Sequence, residues 1–318
     1  MAVYLTDDAV ADLLPMAQAI DCVDAAFRSL AQGEALNAVR TRMAADPAVL
    51  NVMWACAPSA GVMGVKSYVT AGRGTTRGTS LALTLYSMRT GEMLALVEAN
   101  RLGQIRTGAA TAVASRAMAN DAPAALSVYG TGFQAEYQIR ALLEALPTIV
   151  EVRVVGRDAA RRDAFIDRLA GEYPGLRFLP ADARAAASSA DILVTATNAA
   201  TPLFEAQWLR PGTHINAIGS NDPRKAEIGR PVLERAGLIL VDDLEVARRE
   251  CGDLLANDWD LDGVGTLGEL LVGARPGRTS RDQVTVFESQ GLAVQDVMCG
   301  AALVARALEH GVGIRLTR

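Results

Sequence analysis

The chain has 318 residues, half of them hydrophobic and 21% charged, with a formal net charge of −5. That composition is ordinary for a soluble globular protein, long for one core and comfortable for two domains. It holds no basic tract to follow a phosphate backbone, and no apolar run of the roughly eighteen residues that span a bilayer, so neither nucleic acid nor a membrane is an expected partner. The opening stretch MAVYLTDD lacks the basic-then-apolar pattern of a signal peptide. Cys22, Cys56, Cys251 and Cys299 are scattered without metal-type or redox-type spacing, which reads as reduced thiols in a cytoplasmic protein. Two histidines, His214 and His310, are too few for a histidine-rich metal site, and no metal is expected.

In chain order, Thr6, Asp7 and Asp8 can cap a helix from Ala9 to Leu14, and Pro15 can open a second helix running towards Leu30. The texture becomes β-rich from Asn51 to Val97. Residues 62–69 (VMGVKSYV), 81–86 (LALTLY) and 93–97 (MLALV) read as strands, with turn-rich segments at 71–78 and 87–91 between them. They predict a small, largely antiparallel sheet. A helix of small and apolar residues then starts at Thr107 with Arg106 at its door, and ends near Asn120.

From Ala124 the rhythm is strand, helix, strand, helix. Strands are expected at 125–129, 150–155, 177–179, 191–196, 213–218 and 238–241, with helices from Ala135 to Leu146 and from Ala159 to Gly171. This alternation predicts an α/β architecture with a doubly wound parallel sheet. After a strand at 284–287, a long helix from Ala293 to Glu309 is rich in Ala, Val and Leu, which predicts one buried face.

Residues 127–135 (SVYGTGFQA) carry the pattern G-x-G-x-x-A between a strand and a helix. Gly130 permits the tight turn, Gly132 lets the backbone approach a pyrophosphate, and Ala135 lets helix and strand pack closely. Thr131, Phe133 and Gln134 complete this phosphate-binding turn, which points to a nicotinamide dinucleotide. At the end of the next strand, Arg157 falls where a 2′-phosphate would sit, with Arg161 and Arg162 following. NADP is therefore favoured over NAD, with Asp158 as the alternative ribose acid if the strand runs one residue longer.

Five stretches, taken together and in order, resemble the ornithine cyclodeaminase/mu-crystallin family of amino-acid dehydrogenases, imine reductases and cyclodeaminases. They are Asn51-Val52-Met53 leading to Gly64-Val65-Lys66, residues 102–110 (LGQIRTGAA), 130–134 (GTGFQ), 214–221 (HINAIGSN) and 287–296 (FESQGLAVQD). The resemblance implies a Rossmann-type dinucleotide domain, residues 118–289, and a discontinuous α+β substrate and dimerisation domain, residues 1–117 with 290–318. It also implies a homodimer, and a C-terminal helix that returns to pack on the N-terminal domain.

The family's substrates are α-amino, α-keto or α-imino acids, so each carries a carboxylate. The resemblance gives Arg106 the task of gripping it, beside the nicotinamide. From residue type alone, a buried structural ion pair and a ligand clamp stand level. Lys66 matches a family lysine across the site, where burial among cations would lower its pKa and suit it to proton transfer. Arg40 matches a third cation, with Arg42 as its rival. Thr107, Thr197, Asn198, Ile218 and Gly219 are expected to line the dinucleotide, and Ser289 and Gly291 to approach the nicotinamide. Asn221 stands where deaminating relatives have an aspartate; an amide cannot act as a base, so hydride transfer without cyclodeamination is expected unless Asp222 takes that place.

The chain departs from the family pattern at Trp54, where a proline is common, at Asn51 and Val52, where deaminating members carry an acid, and in the 71–78 loop. The expected activity is an NAD(P)-dependent oxidoreductase acting on the C–N bond of a small amino or imino acid. Alanine or pyruvate with ammonia, Δ1-pyrroline-2-carboxylate, Δ1-piperideine-2-carboxylate and longer imino acids all stay open as substrates. A cyclodeaminase with bound NAD and a non-catalytic NADPH-dependent binding protein are the rivals.

Overall fold

The computed structural model describes residues 2–71 and 80–316, so most of the expected turn at 71–78 lies outside the described residues. The chain forms two compact units, 1–106 with 292–318, and 107–291. The boundary falls inside one helix, between Arg106 and Thr107; the sequence placed it near the end of that helix, between residues 117 and 118.

The first stretch runs β1 (Ala2–Leu5), α1 (Asp7–Leu13), α2 (Met16–Ala31), β2 (Leu36–Asn37), β3 (Thr41–Ala45), β4 (Ala48–Ala57), β5 (Val62–Ala71), β6 (Leu81–Ser87), β7 (Met93–Glu98) and α3 (Asn100–Met118). The second unit follows as β8 (Ala125–Tyr129), α4 (Phe133–Ala145), β9 (Glu151–Val155), α5 (Ala159–Glu172), β10 (Arg177–Pro180), α6 (Ala183–Ser189), β11 (Ile192–Thr195), β12 (His214–Ala217), α7 (Arg230–Arg235), β13 (Ala236–Val241), α8 (Leu244–Glu250), α9 (Gly252–Ala256), β14 (Gly265–Thr266), α10 (Leu267–Leu271) and β15 (Val284–Glu288). The chain then returns to the first unit as α11 (Ala293–His310) and β16 (Ile314–Leu316).

In the first unit the strands lie in the order β16-β1-β7-β6-β5-β4-β2, with β3 beside β4, and all pairs but β1–β7 are antiparallel. Period-two alternation sorts their side chains. Val62 and Lys66 on β5, Met53 and Ala55 on β4, and Leu83 and Leu85 on β6 are buried on one face. Helix α11 packs on that face, as the resemblance implied, and two glycines permit the close approach. A Cβ on Gly64 would come within 3.0 Å of Val297, and one on Gly300 within 2.8 Å of Leu83. Asn37 Oδ1 accepts the amide of Val294 at 3.1 Å and so holds the first turn of α11.

In the second unit an all-parallel sheet has the order β10-β9-β8-β11-β12-β15-β13-β14. From β8 the chain winds outward through β9 to β10, then returns to β11 on the other side. The order thus reverses between β8 and β11, the place where open α/β sheets bind ligands beyond the strands' carboxyl ends. The small residues after Arg106 also find their reason here: a Cβ on Gly108 would strike the Tyr137 carbonyl of α4. Among the described residues no helix is long and apolar enough to cross a membrane.

Candidate active site

In the first unit, the inward row of β5 ends at Lys66. Its ammonium donates to Asp296 Oδ2 at 2.6 Å, and Arg106 Nε donates to Asp296 Oδ1 at 3.2 Å. Arg106 Nη1 also donates to Gln295 Oε1 at 3.1 Å. Lys66 is 2% exposed, Arg106 7% and Asp296 not at all. One carboxylate from α11 therefore sits between two cations that the sequence had led us to place facing a ligand.

Burial drives the Lys66 pKa down to about 7; Asp296 pulls it upward, while Arg106 and Arg40 push it further down. A surface-snorkelling lysine is excluded. Burial alone would raise Asp296, yet Arg106 and Lys66 hold its carboxyl below the usual range. Arg40, half-buried just before β3, belongs to this field, whereas Arg42 is exposed. Two buried cations thus share one acid. An excess of positive charge among buried groups is costly unless an anion joins it. Asn51 lies on the same buried face, two residues from Met53, and its amide donates to the Val49 carbonyl at 3.1 Å.

In the second unit, the loop from β8 to α4 carries the glycine pattern. Gly130 adopts φ +123°, and a Cβ there would meet the Ala196 carbonyl at 2.5 Å. Gly132 is the residue before α4, which has no side-chain cap, and the space beside its missing Cβ is open. A turn that is closed on the sheet side and open on the other suits a pyrophosphate. Around it, Thr131 is half-buried and Phe133 exposed, while Gln134 Oε1 is buried with no hydrogen-bond partner among the described residues. Ala135 is fully buried.

Strand β9 stops at Val155, so Arg157 lies exposed in the loop after it. Asp158 caps α5, its Oδ1 accepting the Arg161 amide at 3.0 Å. Thr107 is buried in α3 and Ile218 is buried after β12, while Asn198 is exposed.

The other expected cofactor residues are held by acids that sequence reading missed. Glu227 Oε1 accepts from Thr197 N at 2.7 Å and Thr197 Oγ1 at 2.6 Å, and its Oε2 accepts from Gly219 N at 2.7 Å. Asp253 Oδ1 accepts the amides of Glu227 and Ile228 at 2.6 and 3.0 Å. Asp242 Oδ2 accepts from Ser289 Oγ at 3.1 Å, Gln290 N at 3.0 Å and Gly291 N at 2.7 Å. All three acids are buried, and burial raises their carboxyls, Glu227 and Asp242 to about 7. Glu288 beside them is raised well above its ordinary value, by burial and by Asp253. Among the described residues no such cluster has the geometry to hold a metal ion.

Asn221 Oδ1 accepts from Lys225 Nζ at 3.0 Å, and Asp222 makes two contacts of 2.8 Å with the Arg224 guanidinium. Lys66 and Lys225 are the only lysines of the chain. His214 is a core residue, bonded to Thr285 Oγ1 at 2.9 Å and kept neutral by burial, with a pKa near 3.

A family model described as "Ornithine cyclodeaminase/mu-crystallin family" matches residues 2–311. The chain is 36% identical over 239 residues to a Δ1-pyrroline-2-carboxylate reductase of Bacillus cereus, covering 73% of this chain and 72% of that protein. Its structure superposes on the Thermococcus litoralis Δ1-pyrroline-2-carboxylate reductase in complex with NADH and L-proline with a TM-score of 0.93, at 27% identity over 99% of this chain and all of that one. It superposes on an archaeal alanine dehydrogenase dimer with bound NAD with a TM-score of 0.92, at 31% identity over 99% of each chain. The charged cluster, the glycine turn and these likenesses agree, and the chain belongs to the ornithine cyclodeaminase/mu-crystallin family.

Proposed function

We propose that this protein is an NAD(P)-dependent imine reductase or amino-acid dehydrogenase. The observation that carries the reading is the buried pair of cations, Lys66 and Arg106, that shares the single carboxylate of Asp296. It has more positive charge than its own acid can balance, and the carboxylate of an α-imino acid supplies what is missing. Arg106 and Lys66 hold that carboxylate, so its orientation is fixed before reaction. Lys66, with a pKa near 7, can hold or release a proton at neutral pH, which suits it to keep the imine nitrogen protonated. The glycine turn fits the dinucleotide's phosphates, and a bound nicotinamide supplies the hydride for the α-carbon.

Arg157 supports NADPH as the preferred donor, since Asp158 is occupied as a helix cap. Replacing Arg157 by Asp removes a charge-assisted phosphate contact worth about 1.5–3 kcal/mol, so the NADPH-to-NADH preference should fall by about tenfold or more. A homodimer also belongs to this reading. The face of the first sheet opposite α11 exposes Leu50, Trp54, Met63, Val65 and Tyr86, an apolar area that a second copy would cover.

The test is a panel of keto acids with amines and of preformed cyclic imines, each with NADPH and NADH, followed by nicotinamide absorbance. Consumption with at least one imine supports the reading. A deaminating activity is disfavoured because Asn221 is an amide and Asp222 is paired with Arg224. Proline and ammonia formed from L-ornithine with catalytic NAD⁺ would refute the reductase.

A further inference from the structure

Three loops meet backbone to backbone at the carboxyl ends of β8, β11 and β12. Gly130 abuts the Ala196 carbonyl, and Gly219 abuts the Thr197 carbonyl more closely than any Cβ would allow. A stack made of backbone has few side chains to set its spacing. Glu227 provides that setting. Its two oxygens take three donors, two from Thr197 and one from Gly219, at 2.6–2.7 Å. Asp253 fixes the acid in turn by accepting its backbone amide. The side chain of Thr197 is thereby turned inward, towards Glu227, and its hydroxyl also accepts the Ala199 amide at 3.0 Å.

We infer that Glu227 is a positioning residue for the dinucleotide: by tying Thr197 to Gly219 it sets the loop against which the glycine turn rests. This rests on the dinucleotide reading above. Glu227 need not touch the cofactor. Its charge is spread over two backbone amides and a hydroxyl, which lets an acid lie close to a phosphate site. The glutamine variant has the same shape but offers one acceptor oxygen, so its amide N–H groups must face Thr197 or Gly219, donor against donor.

The experiment titrates wild type, Glu227→Gln, Thr197→Val and Thr197→Ser with NADPH and NADH by fluorescence, and measures KM for a working imine. For Glu227→Gln the dinucleotide Kd should rise about tenfold or more, while the imine KM at saturating cofactor stays within roughly twofold. Should that variant fail to fold, Thr197→Val, which removes one donor at constant shape, should still weaken dinucleotide binding several-fold. Thr197→Ser, which keeps the hydroxyl, should restore it. An unchanged Kd in folded Glu227→Gln, or in Thr197→Val, overturns the inference. So does a proportional rise in imine KM, which would mark general damage. A wild-type protein that binds neither dinucleotide would instead overturn the reading of the site itself.

Discussion

Both units bury charged side chains, and they stabilise them in opposite ways. In the first unit Asp296 is balanced by side-chain cations, Lys66 and Arg106, with Arg40 adding to the field. In the second, Glu227, Asp253 and Asp242 are balanced by backbone amides and hydroxyls. Ion pairs among mobile side chains can leave net charge available to a ligand. Backbone donors have no such surplus; they fix loops in place. One cluster is therefore suited to bind and the other to shape.

The largest expected difference is in stability. Asp296→Asn leaves two buried cations without their acid, and breaking a buried pair in this way costs about 3–5 kcal/mol. Asp253→Asn keeps the oxygen that accepts from Glu227 and Ile228, and offers its N–H groups to Ser220 and Glu288 beside it, which can accept them. It should change stability by less than about 1 kcal/mol. Urea unfolding of the two variants checks this, and equal losses would erase the distinction between the units.

Next in size is Arg106→Ala. Truncating one member of a desolvated charge pair costs about 2–5 kcal/mol, so kcat/KM on a working imine should drop at least thirtyfold or so. A folded variant with unchanged kcat/KM would show that Arg106 serves Asp296 alone.

The two clusters should also respond to pH with opposite signs. Lys66 binds a carboxylate as the ammonium, so imine kcat/KM should fall as pH rises through about 7. Lys66→Arg, whose charge does not titrate, should lose that limb even if it is slower overall. For folding, the Lys66 pKa lies below its unfolded value near 10.5. Between about 7 and 10.5 the unfolded chain holds the extra proton, and stability rises with pH.

Glu227 and Asp242 behave conversely, because their folded pKa values near 7 exceed unfolded values of 4.5 and 3.8. There the native state holds the extra protons, so their contribution is greatest below about 4 and is lost as pH rises to 7. The slope is at most about 1.4 kcal/mol per pH unit for each group. Denaturation of wild type and Glu227→Gln from pH 5 to 7 should show a shallower decline in the variant. Parallel curves would place the titration elsewhere.

The parts of this molecule legible in the sequence were those where local chemistry is decisive. The glycine turn, the strand–helix alternation and the final amphipathic helix each follow from residue type and period. The hairpin of β3 and β4 was missed because β4, AVLNVMWACA, is apolar on both faces and shows no period-two contrast. Strands β1 and β16 are too short to carry a pattern. At the site, Lys66 and Arg106 could be named from their motifs. Asp296 ended one of the quoted stretches, and an acid in the first turn of a buried apolar helix was a usable signal that was not used. Glu227, Asp253 and Asp242 had none, because an acid that serves backbone amides of distant loops looks, in sequence, like any surface acid.

Of 31 lysines and arginines, two are lysines, and burial brings the pKa of Lys66 down to about 7. Arginine stays protonated and so is a poor nucleophile, whereas a lysine whose pKa burial has lowered loses its proton far more readily. The candidate site therefore contains an amine that a small anionic acylating reagent able to enter the buried cluster should modify selectively. A carboxylate ligand would shield it twice, by occupying the same space and by raising its pKa. Mass-spectrometric labelling of one peptide could thus report ligand occupancy without any turnover at all.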